Sequence, residues 1–242
     1  MTEPDVPTPR VATAALLFVA ALALVTAFLI EFVAPAERGD PDNPADSVAF
    51  LRAAYPFFAY SGAALMVGGT TLIAGVLGVA RIVRVGGLSL AYASATVFGM
   101  LAGGFFAVGG MLRLSATGTG IYIADLDPGW GESAYLVVQM AGTQGLIATG
   151  LLGLAGWLLA TAILGARRRL PGLLAIGLPA AVIIGLLAFD VVVPTADFAD
   201  FVFPIYIFSL TIGLPLGLIA TGVALAIPAG ARRLARRSAS AS

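Results

Sequence analysis

The residues of this sequence with the clearest chemical potential are three charged side chains inside long apolar stretches. Glu31, Arg113 and Asp190 each lie near the end of such a stretch, where a charge is costly unless it is paired or solvated. An ionisable group in an apolar segment is by default a functional-site hypothesis, and Arg113 is the natural partner for both acids. The sequence therefore predicts an ion network. The structural alternative is a rim ion pair, or side chains that extend into a headgroup layer.

The absence of lysine, cysteine and histidine removes most catalytic and cofactor chemistry, since all 13 basic residues are arginine. No Cys or His side chain can hold zinc or haem iron, and no lysine can form a Schiff base. The sequence has no nucleophile elbow, Walker loop or zinc signature. The acidic run from Asp125 to Glu132 lacks the ligand spacing of an EF-hand. We therefore predict no enzymatic activity, no cofactor and no metal ion.

Composition indicates that membrane lipid is the main environment of the chain. Hydrophobic residues make up 60% of the 242 positions and charged residues only 11%, against roughly 25% charged residues in soluble domains. The formal net charge is zero, so no nucleic-acid partner is expected.

Six apolar segments are long enough to cross a hydrocarbon layer of about 30 Å as helices. The sequence therefore predicts an all-α, six-transmembrane-helix bundle over residues 11–228, between an N-terminal tail (1–10) and a basic C-terminal tail (229–242). The first segment is too long for a signal peptide and lacks a basic start, so we expect it to be retained. The predicted spans lie near 11–34, 54–80, 87–113, 134–165, 171–193 and 201–228.

Charge distribution predicts the orientation of these spans. Ten of the 13 arginines lie in the tails and loops on one side, and 11 of the 13 acidic residues on the other. Because basic residues are retained on the cytoplasmic side, both termini are expected to be cytoplasmic. The arginine-only, Ala- and Gly-rich composition suggests a GC-rich genome, and we predict a multi-pass protein of a prokaryotic inner membrane.

On the outer side, the pattern predicts a short surface helix over residues 48–55 that leads into the second span at Pro56. A loop is predicted from Ser115 to Glu132, with a turn at the Asp-Pro-Gly sequence and Trp130 as an interfacial anchor.

Small residues at spacings of three or four predict close helix packing, chiefly in the fourth span. A ligand path along this stripe is the alternative interpretation. Gln144 lies near mid-membrane on the opposite face, where we expect a hydrogen bond to a neighbouring helix, or a polar cavity or subunit contact. The predicted packing residues are Gly142, Gly145, Thr149, Gly153 and Gly156, with Gly99 and Gly103 in the third span.

The C-terminal half resembles a family of uncharacterised prokaryotic six-helix membrane proteins, a domain of unknown function. The resemblance rests on Gly145-Leu146-Ile147 leading to Gly150-Leu151-Leu152-Gly153, on Arg167 to Leu174, and on Leu214-Pro215-Leu216-Gly217. It implies a six-span helical fold and no particular activity. Members of the family often carry a histidine on the fourth span, where this chain offers Gln139 or Gln144, and this departure argues against a metal or haem role.

Two functional hypotheses follow from the sequence. The first is a non-enzymatic structural or accessory membrane protein, whose small-residue faces suit association with a second copy or with other membrane proteins. The alternative is a carrier or receptor that binds a small molecule in an outer-facing polar pocket, formed by Glu31, Arg113, Asp190, Gln139 and Gln144.

Overall fold

The structure is a computed structural model that describes residues 9–34, 44–84, 90–127, 130, 145–167 and 212–226. These ranges contain five α-helices and no β-strand, so the prediction of an all-helical fold is confirmed for them. The helices are α1 (Pro9–Val33), α2 (Pro44–Arg84), α3 (Leu90–Leu126), α4 (Gly145–Arg167) and α5 (Leu214–Ala226).

Four of the described helices, α1 to α4, are long and apolar enough to cross a membrane. They correspond to the first four predicted spans, although residues 134–144 of the fourth lie outside the described residues. The fifth predicted span, 171–193, lies wholly outside them. Helix α5 has 13 residues, fewer than the roughly 20 that a span requires, and the first part of the predicted sixth span precedes the described range.

Helices α2 and α3 extend further than their sequences predict. Helix α2 is continuous over 41 residues and includes Pro56, so the surface helix and the second span form one helix. Helix α3 has 37 residues and continues through most of the predicted outer loop to Leu126. At 1.5 Å per residue the two helices measure about 62 and 56 Å, roughly twice the thickness of the hydrocarbon layer.

Contacts between the two extensions explain why the helices continue. Arg52 of α2 forms an ion pair with Asp125 of α3, and a methyl group built on Gly118 would lie 3.9 Å from the ring of Tyr55. Pro56 removes one backbone hydrogen bond, but these tertiary contacts hold α2 on α3 on the N-terminal side of the proline. Local signals therefore mispredicted both boundaries, because the stabilising partner of each extension is distant in sequence.

Helix α1 packs against α2 by placing side chains into gaps left by glycines. A methyl group on Gly75 would lie 2.7 Å from Cδ2 of Leu17, well inside van der Waals contact, so the absence of a side chain is required there. Residue numbers rise along α1 as they fall along α2, so the two helices are antiparallel. The facing pairs are Leu24 with Gly68, Leu17 with Gly75 and Thr13 with Gly78.

Helices α2 and α3 meet backbone to backbone at two glycine pairs. A methyl group on Gly62 would lie 2.7 Å from the carbonyl oxygen of Gly110, and one on Gly103 would lie 2.6 Å from that of Gly69. The glycines are seven residues apart on both helices, the repeat of a left-handed antiparallel helix pair. Gly69 therefore lies in the contact with α3, while its neighbour Gly68 lies in the contact with α1.

Helix α4 packs on the opposite face of α3. The indole of Trp157 lies against Gly99, where an added methyl group would be 2.8 Å from Cγ, and the ring of Phe106 lies 3.0 Å from the corresponding position on Gly150. Trp157 and Phe106 are both fully buried. These contacts make α4 antiparallel to α3.

Helix α5 completes the described bundle by packing against α1 and, less extensively, against α4. Its Gly222 faces Phe18 and the carbonyl oxygen of Ala14, 3.3 Å from an added methyl group. The core contains fully buried leucines from four helices: Leu17, Leu24, Leu65, Leu72, Leu154, Leu158, Leu214 and Leu218.

Because α1 to α4 alternate in direction, the described charged residues lie at the two ends of the bundle. The basic end, where α1 and α3 begin and α2 and α4 end, carries Arg10, Arg81, Arg84 and Arg167. The acidic end carries Glu31, Asp46, Asp125 and Asp127, together with Arg52 and Arg113.

Candidate functional site

Arg113 is the one charged residue among the described side chains that is buried, with 4% of its surface exposed. It lies 23 residues after the first residue of α3, a rise of about 34 Å. This depth is close to the far boundary of a hydrocarbon layer of about 30 Å that begins at the basic end. A charge at this depth is stabilised by polar and aromatic neighbours or by an opposite charge.

Three residues of α2 face Arg113 because they share one side of that helix. Phe58, Ser61 and Gly62 are spaced at i, i+3 and i+4, which brings them together on a helical surface. The Nη1 group of Arg113 donates a hydrogen bond to the hydroxyl of Ser61 at 3.3 Å. The guanidinium carbon lies 5.1 Å from the ring centroid of Phe58, within the range of a cation–π interaction.

The glycine pair Gly62–Gly110 brings the two helices close enough for these contacts. Arg113 follows Gly110 by three residues, and its Cβ lies 3.6 Å from the position of a methyl group on Gly62. A larger residue at Gly62 would collide with the backbone of α3 and displace Ser61 from Arg113. The packing of α2 on α3 therefore positions the polar contact.

The packing register also places Glu31 at the level of this site. Leu17 with Gly75 and Leu24 with Gly68 are facing pairs one heptad apart. A further heptad step along both helices brings Glu31, in the last turn of α1, level with Ser61. Helix α2 thus lies between an acidic position on α1 and the guanidinium on α3. The Glu31 side chain lies outside the described part of the chain, so its participation in an ion network or a polar pocket stays a prediction.

The remaining predicted polar residues lie outside the described part of the chain. They are Asp190, Gln139 and Gln144, and Gly142 of the small-residue stripe lies there too. Their participation in an ion network or a pocket stays a prediction.

The predicted small residues have different surroundings in the structure. Gly99, Gly103 and Gly153 each lie at a close contact between helices, and a methyl group on Gly153 would be 2.8 Å from the carbonyl oxygen of Phe98. Around Gly145 and Gly156, by contrast, no described atom lies within 4 Å of an added methyl group. The hydroxyl of Thr149 donates to its own helix, to the carbonyl of Gly145 at 2.8 Å.

Several residues that organise the site were not singled out from the sequence. Phe58 and Ser61 carry no distinctive local signal, because serine and phenylalanine are ordinary residues of a membrane helix. The packing glycines, by contrast, could have been predicted from their spacing in the sequence. Gly62 and Gly69 are separated by seven residues, as are Gly103 and Gly110, and matched heptad spacings in consecutive spans indicate an antiparallel contact.

A second buried polar cluster lies nearer the basic end, between α3 and α4. The hydroxyl groups of Tyr92 and Thr161 are 3.5 Å apart, and Thr161 also donates to the carbonyl oxygen of Trp157 at 2.8 Å. Because these are neutral groups joined to each other and to the backbone, the cluster links the two helices.

Within the described residues, no three acidic side chains come together in a way that could hold a metal ion. Comparison of the chain with protein-family models, curated proteins and solved structures finds no match.

Proposed function

We propose that this chain is a non-enzymatic integral membrane protein with a structural or accessory role, exerted through contact with a second copy or with another membrane protein. The observation that carries the proposal is the pair of backbone contacts between α2 and α3, at Gly62–Gly110 and Gly69–Gly103. In lipid, apolar burial contributes little to helix association, so close packing of small residues contributes much of the association energy. These glycine contacts hold the two long helices α2 and α3 together as one unit.

The α2–α3 pair supports a role in contact rather than in chemistry. Both helices continue past the depth of Arg113, where α1 is ending, and the ion pair between Arg52 and Asp125 joins the two extensions. We call the extensions, residues 44–59 and 113–126, the outer projection. Its exposed aromatic and apolar side chains include Tyr55, Tyr122 and Leu126, which are side chains that protein interfaces favour.

The surface of α3 around Gly104 has room for another helix within the membrane. Gly104 has no described atom within 4 Å of an added methyl group, and its neighbours Leu101 and Val108 are 49% and 46% exposed. A glycine among exposed apolar side chains permits close contact with a further helix.

We further propose six spans with both termini in the cytoplasm of a prokaryotic cell. Four of the six described arginines lie at the basic end and all the described acids lie at the other end, and this distribution supports the orientation.

Native mass spectrometry of protein extracted in membrane nanodiscs tests the proposed role. We expect the chain to co-purify at fixed stoichiometry with a second copy or with a second membrane protein, and Gly104→Leu to abolish this association because a bulky side chain blocks the exposed α3 face. A wild-type particle that holds one chain and lipid alone would contradict the proposal.

The buried guanidinium favours a second candidate, a carrier or receptor for a small anionic molecule. Arg113 meets Ser61 at the level where Glu31 is expected, near the outer end of the spans. If the protein is a carrier, the same experiment should detect a particle that consists of one chain and a bound non-lipid ligand. Arg113→Gln should release that ligand, whereas Arg52→Gln should not.

A further inference from the structure

The register between α1 and α2 places two arginines side by side at the basic end. Thr13 faces Gly78, and moving three residues toward the basic end along both helices reaches Arg10 and Arg81. Arg10 lies in the first turn of α1 and Arg81 in the last turn of α2. Packed helices lie about 8–10 Å apart, so two extended arginine side chains at one level can reach a common point.

Neither guanidinium is compensated within the described part of the chain. Both side chains are exposed, neither has an acidic partner among the described residues, and all described acids lie at the opposite end of the bundle. Like charges at neighbouring positions repel each other. An anion between them would remove that repulsion and could accept charge-assisted hydrogen bonds from both guanidinium groups.

The surface beside the two arginines is apolar. Val11 follows Arg10 and is 48% exposed, and Leu77, one helical turn before Arg81, is 43% exposed. A ligand that fits this surface carries a negative headgroup at the level of the arginines and hydrocarbon along the helices. A free phosphate ion satisfies only the first requirement.

We propose that Arg10 and Arg81 form a binding site for the phosphate of an anionic phospholipid at the basic end of the bundle. The planar guanidinium groups match the phosphate oxygens geometrically, and the acyl chains lie against the apolar faces of α1 and α2. The site rests on the proposed function only in requiring that the chain is embedded in a bilayer. It adds a specific lipid ligand that neither the structural role nor the carrier role requires.

Native mass spectrometry with phosphatidylglycerol and phosphatidylcholine tests the site in the purified full-length protein. We expect wild type to bind phosphatidylglycerol more tightly. An arginine near an anionic headgroup contributes about 1 kcal/mol, so Arg10→Gln and Arg81→Gln should each lower this affinity about fivefold, and the double variant about 30-fold. Phosphatidylcholine binding should not change. Arg52→Gln is the matched control, because it removes the same charge from an exposed arginine at the acidic end.

Two results would overturn the site. The first is equal affinity of wild type for the two lipids. The second is a loss in Arg52→Gln as large as in Arg81→Gln, which would show that net charge alone governs binding. Circular dichroism verifies folding, and Arg81→Lys, which keeps the charge but not the planar group, should retain part of the affinity. Resistance to carbonate extraction checks bilayer integration separately, so failure of the lipid site is distinguishable from failure of the membrane proposal.

Discussion

Replacement of Arg113 by methionine measures how much the buried guanidinium stabilises the bundle. Methionine keeps most of the apolar stem and removes the charge, so the change isolates the polar contacts better than alanine would. The substitution removes the hydrogen bond to Ser61 and the contact with the ring of Phe58. If Glu31 is the acidic partner, the substitution also leaves that carboxylate unpaired.

The expected loss follows from these three contributions. Hydrogen bonds between membrane helices contribute about 0.6 to 2 kcal/mol, and a cation–π contact about 0.5 to 2 kcal/mol. Together with the penalty for an unpaired acid, Arg113→Met should lower the free energy of unfolding by about 2–4 kcal/mol. Arg52→Met is the control, because its ion pair with Asp125 is 58% and 51% exposed and such pairs contribute about 0.2–1 kcal/mol.

The assay is unfolding in mixed micelles, followed by circular dichroism as the fraction of denaturing detergent rises. A double-mutant cycle adds Glu31→Gln, and we expect part of the loss in Arg113→Met to disappear in the double variant, because a neutral amide no longer requires the guanidinium. A loss in Arg113→Met no larger than in Arg52→Met would refute the role of the buried charge. Strict additivity with Glu31→Gln would refute the pairing inferred from the register, while leaving the contacts with Ser61 and Phe58 intact.

Three further results are expected. Gly69→Ala should destabilise the protein by about 1–3 kcal/mol in the same assay, because its methyl group collides with the backbone of α3, whereas Gly104→Ala should be neutral or slightly stabilising; equal effects would contradict the α2–α3 packing. Because the chain has no cysteine, Leu126→Cys can be labelled alone, and a membrane-impermeant maleimide should modify it in intact cells but leave Val11→Cys unmodified; the reverse labelling would invert the topology. Trp157→Ala should cost about 3–5 kcal/mol, because its fully buried side chain leaves a cavity; a loss below 1 kcal/mol would mean that the α3–α4 contact is not a stable one.

The positions of the helices were largely predictable because length and polarity are local properties. Six apolar runs were predicted as spans, and for the first four of them the described residues form helices, α1 to α4, that can cross a membrane. Their ends were less predictable. Pro56 is a strong local signal for a helix end, but the helix continues because Arg52 and Tyr55 on its N-terminal side contact α3. A contact with a residue more than 60 positions away in sequence cannot be predicted from the local periodicity of apolar residues.

The choice of packing glycines illustrates the same limit. The most regular small-residue stripe in the sequence includes Gly145 and Gly156, yet no described atom lies close to them, while Gly62 and Gly110 allow backbone contact. A glycine permits close approach of a neighbouring helix at any position in a span. Whether a particular glycine makes such a contact depends on which helix faces meet, and the arrangement of all the helices together determines that.

By itself, the sequence determined that the described chain is helical, that its helices suit a membrane, that its charges separate along the bundle, and that Arg113 is a charge requiring compensation. These properties follow from the composition of single segments, since burial in lipid and helix length are set residue by residue. Tertiary structure decided that Ser61 and Phe58 contact Arg113, that α2 and α3 form one extended pair, and that Arg10 lies level with Arg81. Each of these depends on the register between two helices, which is set by interlocking side chains on both and cannot be read from either one alone.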